Sequence, residues 1–169
     1  MFDTVVFNRI LDGVIPAATL VGRVTAFATH IQRDEINNTR NPVRRVELLQ
    51  VFQDVIHSQV ATGSFVLDVS RLDEARLSGG PIVPTASAVY GVSEYGGACY
   101  SDGSLYDALK AKLDALNDGK PNNVQDVLIA ETAIIEGHVL ITDDVHLAAV
   151  TRGSGGQCQT VDELLAYLT

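Results

Sequence analysis

The chain has 169 residues and a net charge of −9, and 46% of its residues are apolar. These values predict one domain with a substantial hydrophobic core, and no apolar run is long enough to cross a membrane. The opening Met1-Phe2-Asp3 has neither a basic region nor an apolar signal segment, so we expect a cytoplasmic protein. Cys99 and Cys158 lack metal-ligand spacing, and we expect both to be reduced.

Hydrophobic periodicity predicts alternating strands and helices in the first part of the chain. In chain order these are a very short strand over 1–4, a helix over 5–11, a strand over 18–26, a helix over 29–38 with Thr29 as N-cap, a helix over 43–60 opened by Pro42, a strand over 64–70 and a short helix over 72–77. A turn is predicted at 79–81, and the Gly-, Ser- and Tyr-rich residues from about 82 to 103 receive no assignment.

The second part of the chain is mostly helical. The predicted elements are helices over 105–116, 124–136, 145–150 and 161–168, with a short buried strand over 138–142 between the second and third of them. Strands that alternate with helices predict a parallel sheet with helices on both faces. In such sheets the functional groups gather at the carboxyl ends of the strands.

Acidic residues stand at four such strand ends and helix starts: Asp3, Glu35, Asp126 and the pair Asp143-Asp144. Each has an ordinary structural explanation, as a helix cap, a helix-dipole partner or part of a solvated helix face. Together they indicate a cation site, because converging carboxylates repel one another unless a cation lies between them. Oxygen ligands favour Mg²⁺ or Mn²⁺, and such ions activate water for attack on a phosphodiester.

Two C-terminal segments resemble the signature of PIN-domain ribonucleases. In 123–137, Asp126 opens a Leu-Ile-Ala helix that a glycine closes, and 139–144 is a strand that ends in Thr-x-Asp. Asp3-Thr4 resembles the first acidic motif of the family, and 29–35 resembles the second, where a glutamate lies on the helix after the second strand. The order and approximate spacing agree over nearly the whole chain.

The resemblance implies a Rossmann-like, three-layer α/β PIN domain over 1–169, with a central parallel sheet, helices on both faces and an insertion at about 78–102. It implies a metal-dependent endoribonuclease that hydrolyses RNA phosphodiester bonds. The residues that it assigns to catalysis and to binding Mg²⁺ or Mn²⁺ are Asp3, Glu35, Asp126 and Asp144, with Asp143 as the alternative ligand if the register slips by one, and with Thr4 and Thr142 in support.

The resemblance implies RNA as the substrate, and we expect no association with a membrane. Many small bacterial members of the family are toxins that an antitoxin protein inhibits, and others process RNA; the sequence leaves both roles and a homo-oligomer open. The family usually has Asn or Ser where this chain has Val5. Val5 and the acidic net charge favour the alternative function, a catalytically weak or inactive PIN-fold protein that binds RNA or protein.

A positive surface is needed to hold RNA, and Arg33, Arg40, Arg44 and Arg45 follow or flank Glu35 closely enough to supply one. The alternative is an ordinary solvated helix face paired with Glu47. No HExxH, GxSxG, Walker or dinucleotide-binding motif is present, which argues against zinc hydrolases, serine hydrolases and nucleotide-binding enzymes. Tyr90, Tyr95 and Tyr100 could stack on bases or pack beneath a loop.

Overall fold

The computed structural model describes residues 1–71, 74–75, 103–120 and 122–168. The predicted insertion, the turn at 79–81, the three tyrosines of that segment and Cys99 lie outside them. The described elements are α1 (Thr4–Leu11), α2 (Ala17–Leu20), β1 (Phe27–Ala28), α3 (His30–Asn37), α4 (Pro42–Val55), β2 (Ser58–Gln59), α5 (Ser104–Asn117), α6 (Asn123–Ile135), β3 (Val139–Ile141), α7 (Val145–Arg152), β4 (Gln157–Gln159) and α8 (Val161–Leu168). The protein is therefore mixed α/β, with short strands.

The strands form two parallel ladders, β1 with β2 and β3 with β4. Residues 1–3 lie between the ladders. The backbone N–H of Phe2 donates to the carbonyl of Phe27 at 2.9 Å, and that of Asp3 donates to the carbonyl of Ile141 at 3.0 Å. Ile141 in turn donates to the carbonyl of Met1 at 2.9 Å, and Phe2 and Ile141 form an isolated parallel bridge. These bonds place Asp3 beside the carboxyl end of β3.

A buried glutamine side chain completes the contact between residues 1–3 and β1. Gln32 donates through Nε2 to the carbonyl of Phe2 at 2.8 Å, and its Oε1 accepts from the backbone N–H and the hydroxyl of Thr29 at 2.9 and 2.7 Å. Thr29 also caps α3, so the two residues form a capping box. Gln32, which is buried, thereby satisfies the carbonyl of Phe2 and the N–H of Thr29. These bonds hold the start of α3 against Phe2, the residue before Asp3.

Two hydrophobic clusters contain alternate residues of these extended segments. Phe2, Ala28 and Ile141 belong to a cluster with residues of α1, α2, α4 and α8. Met1, Leu140 and Cys158 belong to another, with residues of α5, α6 and α7. Because successive strand side chains point to opposite faces, helices cover both sides of the strands. None of the helices in the described part of the chain has both the length and the apolar character required to cross a lipid bilayer.

The structure confirms the predicted helices over 5–11, 29–38, 105–116, 124–136, 145–150 and 161–168, and the strand over 138–142, within one or two residues at most ends. The predicted strand over 18–26 is wrong. That segment holds α2 and then a turn in which Gly22 has a φ of +73°, and the strand begins only at Phe27. Val21 is 76% exposed, so its apolar character gave a misleading strand signal.

Three further predictions in the middle of the chain need correction. The strand over 64–70 is a turn instead, since Asp68 has a φ of +64° and Ser70 donates its N–H to the carbonyl of Val66 at 2.8 Å. The helix over 43–60 ends at Val55, and β2 follows. Only 74 and 75 of the predicted helix over 72–77 lie among the described residues, and Ala75 forms a bridge with Thr62. The strand β4 was not predicted.

Candidate functional site

Asp3 follows the backbone pairing of residues 1–3 and caps α1. Its Oδ1 accepts from the N–H of Thr4 at 2.6 Å, and its Oδ2 accepts from the hydroxyl of Thr142 at 2.5 Å. Thr142 comes directly after β3, so the two segments fix the carboxylate between them. Burial raises the pKa of Asp3, the hydrogen bonds from Thr142 and Thr4 lower it, and the charge of Asp144 raises it further. Val5, at the position where the PIN family usually has Asn or Ser, packs against the hydrophobic cluster around α1. The polar contacts of Asp3 come from the Thr4 N–H and the Thr142 hydroxyl.

Glu35 lies on α3 and reaches the same place from another part of the chain. The hydroxyl of Thr4 donates a short hydrogen bond to Glu35 Oε2. Because Thr4 also donates its N–H to Asp3, this residue links the two carboxylates. Burial raises the pKa of Glu35, the bond from Thr4 lowers it, and the charge of Asp3 raises it. The contact shows that Asp3 and Glu35 are neighbours despite their separation in sequence.

Asp126 lies in the first turn of α6 and is partly buried. The side-chain amide of Asn122 donates to its Oδ2 at 3.1 Å. Burial raises the pKa of Asp126 to about 7, and the charges of Asp3, Glu35 and Asp144 add to the increase, whereas Lys120 opposes it. The charges of all three other predicted acids thus act on Asp126.

The adjacent aspartates after β3 have different surroundings. Asp144 caps α7, where its Oδ1 accepts from the N–H groups of His146 and Leu147 at 2.8 and 2.9 Å. Asp143 forms an ion pair with Arg9 at 3.1 Å through Oδ2, and its Oδ1 accepts from the N–H of Val161 at the start of α8. Both oxygens of Asp143 thus have structural partners, and Asp144 is the member of the pair whose charge raises the pKa of Asp126.

The donor atoms suit a hard divalent cation. Asp3, Glu35, Asp126 and Asp144, hereafter the acidic cluster, supply oxygen atoms only. Within the described chain, Glu35 Oε1, Asp126 Oδ1 and Asp144 Oδ2 accept no hydrogen bond, although the other oxygen of each carboxylate does. Among the described residues, no three His, Cys, Asp or Glu side chains are grouped in a way that could hold a metal ion as they stand. The cluster thus offers suitable ligands without a closed coordination shell.

The four arginines predicted to grip RNA do not form a single free positive surface. Arg33 makes an ion pair with Glu74 at 2.6 Å and also donates to Gln59. Arg44 pairs with Asp12 at 2.9 Å rather than with Glu47, and it donates to Asn8. Arg40 is exposed and Arg45 is partly buried, and neither forms an ion pair within the described ranges.

Sequence reasoning missed three residues that support the site. Gln32 could have been found, because Thr29-x-x-Gln32 is the sequence pattern of a capping box. Asn122 precedes the predicted helix and its side chain bonds Asp126, while Asn123 bonds Asn117 and Asp114. The sequence around Arg9 does not indicate its role, because its partner Asp143 is 134 residues away in sequence.

No known protein family, curated protein or solved structure matches the chain. The acids of the candidate site come from four separate segments of the chain, and three of them have raised pKa values.

Proposed function

We propose that the chain is a divalent-metal-dependent endoribonuclease with a PIN-type fold. The observation that carries the proposal is that hydrogen bonds of Thr4 bring Asp3 and Glu35 together, while burial and the charges of Asp3, Glu35 and Asp144 raise the pKa of Asp126 to about 7. Converging carboxylates destabilise a folded protein when nothing compensates their charge. A bound divalent cation compensates it, and the free oxygens of the acidic cluster are ligands that Mg²⁺ and Mn²⁺ accept.

The proposed fold extends the two parallel ladders into one sheet. The hydrogen bonds of residues 1–3 to Phe27 and to β3 support a five-stranded parallel order of β2, β1, residues 1–3, β3 and β4. In this order β1 and β2 lie on one side of residues 1–3, and β3 and β4 lie on the other, so the strand order changes direction at residues 1–3. Ligand sites of open α/β sheets lie at such switch points, outside the carboxyl ends of the strands, and Asp3 and Thr142 lie there.

In the proposed site, Asp3, Glu35, Asp126 and Asp144 hold Mg²⁺ or Mn²⁺, which when bound supplies an activated water and neutralises charge on the phosphodiester. The protein residues position this centre. Thr142 and Thr4 fix the carboxylates of Asp3 and Glu35 through their hydroxyls. Asp126 must lose its proton to become a ligand, and because its pKa is about 7, we expect metal affinity to rise with pH near neutrality.

The substrate, partners and location belong to the same proposal. Single-stranded or structured RNA is the substrate, in the cytoplasm, and an antitoxin protein or a second copy of the chain are candidate partners. Arg40 and Arg45 are the members of the predicted arginine group most available for phosphate, because Arg33 and Arg44 already contact carboxylates. The acidic net charge repels RNA at long range, so the contacts to phosphate must come from local cations such as Arg40 and Arg45 or from the metal.

A metal-titrated cleavage assay on mixed RNAs and single-stranded DNA tests the function. We expect cleavage of RNA that requires Mg²⁺ or Mn²⁺, stops with chelator and falls by about 100-fold or more in Asp126→Asn, since even supporting residues of metal sites contribute 10- to 100-fold. Asp54→Asn is the control, because Asp54 is an exposed carboxylate on α4 that bonds only the side chain of Gln50 among the described residues.

The alternative function is that of a binding module without turnover, favoured by Val5 and by the acidic charge. It predicts RNA binding that Asp126→Asn leaves unchanged and no cleavage at any metal concentration. Cleavage that persists in chelator, or that is equally fast in Asp126→Asn and Asp54→Asn, would contradict the proposed nuclease.

A further inference from the structure

The first turn of α6 is held to α5 by a network of side-chain amides. Asn123 is fully buried, and its Nδ2 donates to Asn117 Oδ1 at 2.7 Å and to Asp114 Oδ1 at 2.6 Å. Asn117 donates in return to Asn123 Oδ1 at 2.7 Å. Both amide hydrogens and the carbonyl of the Asn123 side chain therefore have partners on one neighbouring helix. The network fixes the start of α6, the helix that carries Asp126, against the rest of the protein.

Asn122 comes just before this network, and its side chain does not cap the helix. An asparagine at a helix start usually accepts backbone N–H groups through its side-chain oxygen, as Asn41 does for Val43 and Arg44 at the start of α4. The φ and ψ of Asn122, −82° and −4°, are instead already helical. Its backbone carbonyl accepts the N–H of Asp126 at 3.2 Å. Asn122 therefore behaves as a helical residue one turn before Asp126.

This helical position brings the side chain of Asn122 to the carboxylate of Asp126, because residues four apart lie on the same face of a helix. Asn122 Nδ2 donates to Asp126 Oδ2 at 3.1 Å, and no other side chain among the described residues donates to that carboxylate. The bond restricts the rotation of the carboxylate and leaves Oδ1 without a hydrogen bond. A donor to a carboxylate also favours the ionised form, which is the form that binds a cation.

We propose that Asn122 is a positioning residue of the metal site, which holds Asp126 by Oδ2 and leaves Oδ1 for the cation. Asn122 bonds this carboxylate in place of the helix backbone, while Asn123 anchors the helix that carries both residues. Hydrogen-bonding partners of metal ligands typically contribute about 10- to 100-fold to metal affinity or activity. The inference rests on the proposed function, because it takes a divalent cation to bind at the acidic cluster, and it adds a neutral residue on which the affinity for that cation depends.

Calorimetric titration of the full, metal-free chain with Mn²⁺ measures metal affinity, and urea denaturation of the same proteins without metal measures stability. Asn122→Leu removes the donor at nearly constant size, and we expect the Mn²⁺ dissociation constant to rise about 10-fold. Asn122→Gln keeps an amide that can bond a carboxylate four residues on, and we expect it to retain most of the wild-type affinity. Asn41→Leu is the matched control: it removes an asparagine that caps a helix start, so stability falls while Mn²⁺ affinity is unchanged.

Wild-type Mn²⁺ affinity in Asn122→Leu, an equal loss in Asn41→Leu, or the same loss in Asn122→Gln would overturn the positioning role. A wild-type chain that binds no Mn²⁺ would overturn both this role and the metal centre. Cleavage of RNA in Mg²⁺ is measured separately. A chain whose Mn²⁺ affinity depends on the Asn122 amide but which cleaves no RNA keeps the positioning role and loses the nuclease. A chain that cleaves RNA with metal, but whose Mn²⁺ affinity does not change in Asn122→Leu, keeps the nuclease and loses the positioning role.

Discussion

Two groups of acidic residues in this protein differ in what compensates their charge. Asp12, Asp34, Asp114 and Asp143, hereafter the paired acids, each contact an arginine or lysine. The contacts with Arg44 and Lys110 lower the pKa of Asp12 and of Asp114. The acidic cluster has no ion pair with any described residue, and the pKa values of Asp3, Glu35 and Asp126 are raised.

The difference shows where this chain places its few cations. It has 12 Lys and Arg against 21 Asp and Glu, and several of these cations compensate acids outside the cluster. Asp143 and Asp144 illustrate the contrast in adjacent residues: the first pairs with Arg9, whereas the second has no ion pair with any described residue and helps raise the pKa values of Asp3 and Asp126. An acidic group left without a protein cation is the arrangement that an external cation stabilises, which is why the comparison supports a metal centre.

Among the residues that support the acidic cluster, the largest expected effect comes from the hydroxyl that holds Asp3. Thr142→Val keeps the shape of the side chain but removes the 2.5 Å hydrogen bond to Asp3 Oδ2. We expect metal-dependent cleavage to fall about 10- to 100-fold, as for other residues that orient metal ligands. Thr151→Val is the matched control, because Thr151 is also fully buried but bonds only the carbonyl of Leu147 in its own helix. Equal losses in the two variants would show that the effect is a general one of core threonines.

Neutralising one acid from each group should change stability in opposite directions. In chelator at pH 8, Asp126→Asn removes a charge that burial and the neighbouring acids disfavour, and we expect it to raise the free energy of unfolding by roughly 1–3 kcal/mol. Asp143→Asn weakens the pair with Arg9 and the bond to the Val161 N–H, and we expect a loss of about 1–2 kcal/mol. Urea denaturation measures both. Destabilisation by both variants would remove the distinction between the groups.

The raised pKa of Asp126 also gives stability a definite pH dependence. The folded protein keeps this proton up to about pH 7, whereas the unfolded chain loses it near the ordinary value of 3.8. Since the folded state then binds more protons, stability in chelator falls as pH rises from about 4 to about 7. Thermal melts at pH 5, 6, 7 and 8 measure this fall, which should be smaller in Asp126→Asn. A wild-type melting temperature that rises over this range, or an unchanged slope in the variant, contradicts it.

Much of the helical framework could be predicted, because α1, α3, α6, α7 and α8 combine helical spacing of apolar residues with recognisable caps or stops. The short strands could not. β1 and β2 have two residues each, and β4 is Gln-Cys-Gln, so none contains enough alternation to register as a strand. Conversely, the alternating Phe65, Leu67 and Val69 imitate a strand, although the local hydrogen bonds of Ser70 close a turn there.

The acids of the candidate site were singled out by motif resemblance, and their neighbourhood follows from contacts between distant segments. Thr4 with Glu35 and Thr142 with Asp3 link residues 31 and 139 positions apart, which no local pattern reveals. A cleft lined by residues of α3, α6 and the segment near residue 70 was not predicted for the same reason. The metal and nuclease roles remain predictions that measurement must decide.

Titration of the chelator-treated protein with Mn²⁺, followed by its melting temperature, tests the acidic cluster as a metal centre most directly. At a concentration about 100 times the dissociation constant, a bound ion adds about 2.7 kcal/mol, which corresponds to a rise of roughly 5–11 °C for a domain of this size. We expect that saturable rise in the wild type and in Asp54→Asn, and its loss in Asp126→Asn. A melting temperature that Mn²⁺ leaves unchanged, or raises equally in all three proteins, would contradict a metal centre at these carboxylates.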